Sequence, residues 1–349
     1  MIQPTKERPG DTLIMLAQRK SAHRLMSRLT VAVLVDEDCW IPGTSRLWAG
    51  QPERHVINAL RRLANRVVLG LYTGVDELSR WLKEVRPDVV FNLTERAAGD
   101  RNKDSHLCAL LDLLELPYTG PGPRGLMLCR DKAVSKLIAQ RAGFKIPEFF
   151  VVESKTLRLP AGIRFPLVVK PRFGDASEGI SQRALVHTRE ALVQRIALLG
   201  RGAIESLICE EFIAGREMLV GMIGPRVFPV REFIVGRPSA SPPLLFSDRL
   251  KHDPAHRRRW SARMDFAKLT AGQERQIKEL TRRTSSALEL RDYGRLDLRL
   301  TPSGEWVFLE ANPNPALVPF RRSFSGSWAG IDFAAAIAEI TLRALRRRP

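Results

Sequence analysis

Two apolar segments near the carboxyl end of the chain decide the fold: Gly294-Arg295-Leu296-Asp297-Leu298-Arg299-Leu300 and Trp306-Val307-Phe308-Leu309-Glu310-Ala311-Asn312-Pro313-Asn314-Pro315. The turn sequence Thr301-Pro302-Ser303-Gly304 separates them, so we predict a β-hairpin with Asp297, Glu310 and Asn312 along one side. Two carboxylates and an amide suit Mg²⁺, which takes its remaining ligands from water and phosphate. The sequence therefore predicts a magnesium site. An ordinary hairpin with solvent-facing acids is the alternative.

A second segment predicts phosphate binding. The strand-like run Phe165-Pro166-Leu167-Val168-Val169-Lys170-Pro171 precedes the loop Phe173-Gly174-Asp175-Ala176-Ser177-Glu178-Gly179-Ile180. A lysine at a strand end usually extends to solvent. Here the small loop residues would let backbone N–H groups approach phosphate oxygens beside the ammonium. We therefore predict that Lys170 contacts a nucleotide.

Two further segments complete the pattern. Leu207 to Glu217 predicts a strand that turns at Gly215, with a carboxylate a few residues later that can accept both ribose hydroxyls. Asp131 is predicted to cap a helix that ends at Gly143, and its apolar residues recur at helical spacing. On this helix we interpret Lys136 as a surface residue.

Together these segments resemble the ATP-grasp enzymes, and specifically the D-alanine–D-alanine ligases. The shared patterns are R-x-D followed by L-E-x-N-P-x-P, V-K-P before a Gly-rich loop, D-K at a helix start, and E-x-x-I-x-G-x-E. The resemblance implies an α/β fold that is α+β in its ATP-grasp portion. An N-terminal parallel-sheet domain would be followed by a two-lobed ATP-grasp domain. The residues themselves also predict this parallel sheet, because strand-like segments at 29–35, 66–71 and 88–92 alternate with helical segments at 53–63 and 75–85.

The resemblance also implies residue roles. Asp297 would hold one Mg²⁺, Glu310 would bridge two, and Asn312 would hold the second, with Mn²⁺ as another candidate ion. The implied ATP-binding residues are Lys132, Lys170, Glu210, Glu211 and Ile213 through their backbone, and Glu217. The implied catalytic residues are Arg295, which would stabilise an oxyanion, Lys251, which would contact the γ-phosphate, and Ser177.

The chain departs from the family pattern on the substrate side. After the first strand, residues 36–40 stand where the family has a glycine pair and a glutamate. Asp175-Ala176 replaces Gly-Ser, Thr94-Glu95 stands where His-Gly is usual, His252 follows the loop lysine, and Ala316 replaces a glycine. The candidate substrate residues are Glu53, Glu95, His252 and Ala316. For Glu53 the slightly preferred alternative is an acid in the first turn of a helix, where the helix dipole favours it.

Composition fits a globular protein with an ample core, since 44% of the 349 residues are hydrophobic. We predict a basic, disordered extension (1–29), an N-terminal α/β domain (30–124), a central ATP-grasp subdomain (125–205) and a C-terminal subdomain with the metal site (206–349). No apolar run is long enough for a membrane span. The four cysteines show no metal-type spacing, so a reducing cytoplasm is the expected location.

The net charge of +18 raises the question of a nucleic-acid partner. We do not expect one, because the arginines are spread along the chain and the dense cluster at 256–260 is typical of a solvated loop. The implied function is an ATP- and Mg²⁺-dependent ligase acting on a small carboxylate and an amine, and a homodimer is left open. An inert nucleotide-binding regulatory protein and a polyanion-binding protein on the same fold are the alternatives.

Overall fold

The computed structural model describes residues 21–41, 44, 47–152, 159–174, 182–199, 206–236, 250, 253–319 and 331–347. The predictions for Ser177, Lys251 and His252 concern residues outside these ranges. The same is true of the Asp175-Ala176 departure.

A three-stranded parallel sheet in the order β2-β1-β3 forms the N-terminal region, as the βαβ alternation predicts. Its strands and helices are β1 (Thr30–Val35), α1 (Glu53–Leu63), β2 (Arg66–Leu71), α2 (Val75–Val85) and β3 (Val89–Asn92). Strand β1 is apolar throughout because both of its faces are covered: Val31 and Val33 enter one core, and Ala32 and Leu34 enter another. The carboxyl ends of the three strands meet at one edge, where α/β sheets commonly bind ligands.

Part of the stretch predicted to be a disordered extension is folded. Residues 21–26 are helical, and Met26 is fully buried in the same core as Val31 and Val33. The prediction was wrong here because it relied on the basic residues around Met26, whereas the apolar side chain of Met26 is buried in the core.

Two antiparallel sheets form the rest of the molecule. The smaller has the order β4-β7-β5-β6, and the larger has the order β11-β10-β8-β12-β13 with β9 beside β8. Their strands are β4 (Phe149–Val152), β5 (Leu167–Pro171), β6 (Leu185–Val186), β7 (Leu207–Glu211), β8 (Arg216–Ile223), β9 (Arg226–Val227), β10 (Arg231–Ile234), β11 (Arg263–Phe266), β12 (Tyr293–Leu300) and β13 (Trp306–Asn312).

The remaining helices surround these sheets. They are α3 (Asp104–Leu113), α4 (Pro123–Arg130), α5 (Lys132–Arg141), α6 (Arg189–Leu199), α7 (Pro254–Arg259), α8 (Ala271–Ala287) and α9 (Phe333–Leu345). The basic cluster at 256–260, predicted to be a loop, begins inside α7, which Asp253 caps by accepting from the backbone N–H groups of Ala255 and His256.

Glycine is required where β7 turns into β8. Gly215 has a φ of +145°, and a Cβ atom built there would lie 2.4 Å from the carbonyl oxygen of Leu300. Because only glycine allows this approach, the turn brings β7, with Glu210, close to the predicted hairpin.

Candidate functional site

The predicted hairpin is confirmed, and its register groups the candidate metal ligands. In the β12–β13 pair, Arg295 lies opposite Asn312 and Asp297 lies opposite Glu310. Residues directly opposite each other in an antiparallel pair share one face of the sheet, with Cβ atoms roughly 5 Å apart. One face of the sheet therefore carries all four polar side chains.

A β-bulge interrupts the hairpin beside these residues. Asp297 pairs with Glu310, but the next residue, Leu298, pairs with Phe308, so Leu309 is the extra residue. Bulges bend a strand and re-aim its side chains, and they occur often next to active sites.

Arg295 and Asp297 form a buried, bidentate ion pair. The Arg295 Nε donates to Asp297 Oδ1 at 2.6 Å, and its Nη2 donates to Oδ2 at 3.0 Å. This pair holds the guanidinium on the same face as Glu310 and Asn312, where it can meet an anionic group.

A buried cluster of two lysines and a glutamate lies nearby. Glu210 of β7 pairs with Val168 of β5, and its Oε1 is 2.6 Å from Lys170 Nζ. Its Oε2 is 2.9 Å from the Nζ of Lys136 in α5. The prediction that Lys136 is a surface residue was wrong, because its side chain is fully buried.

The pKa shifts in this cluster favour the charged forms of Glu210 and Lys170, whereas burial lowers the pKa of Lys136 to about 8. Burial alone would raise the pKa of Glu210, but Lys136 and Lys170 outweigh it and hold this pKa below its ordinary value. Burial alone would lower the pKa of Lys170, but Glu210 and Glu310 outweigh it and raise this pKa. Lys170 is therefore an ammonium at neutral pH, as a phosphate ligand must be.

The other candidate ATP-binding residues line the same region. Lys132 is buried, and its Nζ donates to the carbonyl of Gly174 at 2.5 Å, where the Gly-rich loop starts. The backbone N–H of Glu211 donates to the Glu148 carbonyl at 2.9 Å. Ile213 follows two residues later, and Glu217 is held by Arg299 Nη2 at 2.9 Å.

Two of the substrate-side candidates, Glu53 and Glu95, lie near the carboxyl edge of the parallel sheet. Glu53 is the first residue of α1, and its Oε2 is buried with no hydrogen-bond partner in the described part of the chain. Burial raises the pKa of Glu53, and the charge of Glu95 adds to this. Glu95 itself accepts from Arg101 Nη1 at 2.6 Å.

Asp36, which directly follows β1, completes this acidic group. It accepts from the backbone N–H groups of Glu95 and Arg96, yet burial raises its pKa to about 7. A cleft of about 430 Å³ opens here, lined in part by Asp36, Asp38, Tyr72 and Arg96. The carboxylates outnumber their cationic partners, so this edge of the sheet favours a cationic group.

A buried polar link joins the hairpin to this edge. The hydroxyl of Tyr293 donates to the side-chain oxygen of Asn314, whose amide donates to the Thr94 carbonyl at 3.1 Å. Ala316, two residues beyond Asn314, is exposed. Sequence reasoning did not assign Asn314, Arg299 or Lys136 to the site, since each depends on a partner distant along the chain.

The residues present fit a magnesium ion. Asp297, Glu310 and Asn312 offer oxygen ligands on one face, and the described residues contain no group of three or more His, Cys, Asp and Glu side chains suited to a metal. A small set of this kind matches Mg²⁺, which keeps several positions for water and phosphate oxygens.

Comparison with known proteins agrees with this arrangement. Residues 138–341 match the family model described as the D-ala D-ala ligase C-terminus. The D-alanine–D-alanine ligase of Nitratidesulfovibrio vulgaris is 30% identical over 244 residues, which cover 69% of this chain and 76% of that protein. An uncharacterised protein of Sinorhizobium fredii, y4sG, is 34% identical over 232 residues, which cover 66% of each chain.

Solved structures share the fold. The D-alanine–D-alanine ligase of Bacillus anthracis complexed with ATP aligns with a TM-score of 0.70 at 19% identity and covers 92% of this chain and 98% of its own. The VanG D-Ala:D-Ser ligase of Enterococcus faecalis aligns with a TM-score of 0.63 at 18% identity and covers 91% and 99%.

The chain belongs to the D-alanine–D-alanine ligase family of ATP-grasp ligases. Within the described residues, no helix is long and apolar enough to cross a bilayer.

Proposed function

We propose that this protein is an ATP- and Mg²⁺-dependent ligase that joins a carboxylate to an amine through an acyl phosphate. The observation that supports this most is that Arg295, Asp297, Glu310 and Asn312 share one face of the sheet. The buried Lys170 lies near enough for the charges of Glu310 and Asp297 to raise its pKa. The solved relative that carries ATP shares this fold.

In the proposed reaction a carboxylate oxygen attacks the γ-phosphorus of ATP, and ADP leaves. An amine nitrogen then attacks the acyl carbon, phosphate leaves, and the amine proton is lost. Two bound Mg²⁺ ions would neutralise phosphate charge and polarise the transferred group.

Each protein group has a part in this scheme. Asp297, Glu310 and Asn312 would hold the ions, with Glu310 between them. Lys170 and Lys132 would hold nucleotide phosphates, and Glu217 the ribose hydroxyls. Arg295 lies where it can stabilise the oxyanion of a tetrahedral intermediate, and Asp297 fixes its orientation.

We further propose that the preferred substrates are not two D-alanine molecules. The substrate-side edge has a cleft lined by Asp36, Asp38 and Arg96, and Glu95 lies close enough to Glu53 to raise the pKa of Glu53. Such a surface favours an amino acid with a further polar or charged group, because buried polar groups discriminate strongly against a substrate that leaves them unpaired.

The test is to incubate the protein with ATP, Mg²⁺ and a panel of amino-acid and amine pairs. Phosphate release and product masses are measured together. We expect ATP cleavage with at least one pair and little dipeptide from D-alanine alone. If D-alanine dipeptide forms faster than every other product, the substrate proposal is wrong. If ATP binds but no pair supports cleavage, an inert nucleotide-binding protein is the better description.

A further inference from the structure

Lys136 joins three elements that the proposed reaction uses. It projects from α5, is fully buried, and its Nζ lies 2.9 Å from Glu210 Oε2. The same Nζ donates to the carbonyl of Leu309 in β13 at 2.5 Å. One ammonium thus contacts both the strand that carries Glu210 and the strand that carries Glu310.

The contact with Leu309 falls on the β-bulge. The extra residue of a bulge is left out of regular ladder pairing, so its backbone needs another partner. Lys136 donates to the carbonyl of this extra residue, Leu309, which directly precedes Glu310. The ammonium therefore stabilises the local geometry that sets Glu310 opposite Asp297.

The contact with Glu210 acts on the second half of the site. Glu210 is shared by two lysines, and Lys170 is held at its other oxygen, 2.6 Å away. Without Lys136 the buried carboxylate would depend on Lys170 alone, which would draw this ammonium away from a phosphate.

We infer that Lys136 is a positioning residue of the ligase site: it fixes the bulge beside Glu310 through the Leu309 carbonyl, and it fixes Lys170 through Glu210. This inference rests on the proposed function, since it assumes that Glu310 holds a metal ion and Lys170 a phosphate. Residues that orient metal ligands from outside typically change metal affinity about 10- to 100-fold when altered.

The experiment compares Lys136→Met, Lys136→Arg and wild type. Mn²⁺ binding to the complex with a nonhydrolysable ATP analogue is followed by electron paramagnetic resonance, and binding of the analogue without metal by calorimetry. We expect Lys136→Met to weaken Mn²⁺ affinity about tenfold or more, to weaken analogue binding as well, and to lower kcat at saturating Mg²⁺. Lys136→Arg keeps the charge and donors and should recover part of each loss.

Lys145→Met is the matched control. Lys145 lies beside the same strand, where its backbone bridges to Val307. Unlike Lys136, its side chain is exposed, and its Nζ lies 3.9 Å from Glu305 Oε1. This variant should bind Mn²⁺ and the analogue as wild type does. A purely structural role for Lys136 would lower the melting temperature of Lys136→Met and leave both affinities of the folded protein unchanged.

Wild-type Mn²⁺ and analogue affinities in Lys136→Met would overturn the inference. If that variant does not fold, Lys136→Gln replaces it, because its side chain is also neutral but keeps polar N–H donors; wild-type affinities there would overturn the inference equally. Failure of the proposed function looks different in the wild-type protein: either it binds neither the analogue nor Mn²⁺, or it binds both and no substrate pair supports ATP cleavage.

Discussion

The buried charges of the hairpin region and those of the N-terminal sheet edge are arranged in opposite ways. Around the hairpin, Arg295 lies within hydrogen-bond distance of Asp297, and Lys136 and Lys170 lie within hydrogen-bond distance of Glu210. At the sheet edge, Asp36 is buried and Glu53 is partly buried, and the pKa values of both carboxyl groups are raised because nearby cations do not fully compensate for the burial.

We infer from this difference that the hairpin region is preorganised for its ligands, whereas the charges at the sheet edge become fully compensated only when a ligand binds. Paired charges are already oriented, so a nucleotide and its metal ions meet fixed donors and acceptors. Carboxylates whose burial is only partly compensated are unfavourable in the charged form until a cation reaches them or a proton neutralises them. We therefore expect changes around the hairpin to abolish chemistry, and changes at the sheet edge to alter substrate affinity and pH dependence.

The largest expected effect comes from Glu310→Gln. In the proposed site Glu310 would hold the metal ions through its full negative charge, so we expect its loss to lower ATP cleavage by at least about a hundredfold. The fold should remain, because the amide has the same shape. Mg²⁺-dependent phosphate release and a thermal melt measure the two properties.

Glu305→Gln is the control for this variant, since Glu305 belongs to the same hairpin but is exposed. It should retain wild-type activity. Wild-type turnover in Glu310→Gln would contradict the assignment of Glu310 as a metal ligand. It would also contradict the view that the hairpin region is preorganised for catalysis.

Next in size is Lys170→Ala. An ammonium held against phosphates in a buried site has no neutral replacement, and a hydrogen bond to a charged group contributes roughly 1.5–3 kcal/mol. We expect affinity for a nonhydrolysable ATP analogue to fall about 10- to 100-fold by calorimetry, while Lys145→Ala leaves it unchanged. Equal affinities in Lys170→Ala and wild type would mean that this lysine serves only to pair with Glu210.

The same contrast explains what the sequence could and could not predict. Helices α1 and α2 have the bounds predicted, because amphipathic spacing and flanking residues act locally. For α5, the Asp131 cap correctly predicted where the helix begins. The apolar pattern did not predict which side chains are buried, because Leu137 is 54% exposed and Lys136 is fully buried. The buried face of α5 is polar because Glu210 and Leu309 supply partners, and neither contact can be read from the sequence around Lys136.

The acidic edge was equally hard to predict. Asp36 was recognisable only as a departure from the family pattern, since its burial depends on the loop after β3 folding over it. Its raised pKa follows from that burial, which no local pattern reports.

A smaller effect is expected from Glu53→Gln. Loss of the carboxylate charge removes its attraction for a substrate ammonium, so we expect the KM of the amino-acid substrate to rise about tenfold with kcat nearly unchanged. Glu84→Gln, at an exposed position of α2, is the control. Unchanged KM would favour the alternative in which Glu53 is an ordinary acid of the first helical turn.

The smallest expected effect is a pH dependence of stability that comes from Asp36. Its pKa is about 7 in the folded protein, because of burial, and 3.8 in the ordinary state. Between these values the folded chain binds a proton that the unfolded chain does not, so the free energy of unfolding falls as pH rises from about 4 to about 7 and then levels off.

Asp36→Asn cannot titrate and lacks this contribution. Its amide also faces the N–H groups of Glu95 and Arg96, but that penalty does not vary with pH. Urea unfolding of both proteins at pH 5, 6, 7 and 8 therefore separates the pH-dependent contribution of Asp36 from the constant effect of the substitution. Relative to Asp36→Asn, the free energy of unfolding of the wild type should fall by about 1 kcal/mol between pH 6 and pH 7. Parallel curves would show that Asp36 is ionised at no cost in the folded protein, and the sheet edge would then be as well compensated as the hairpin.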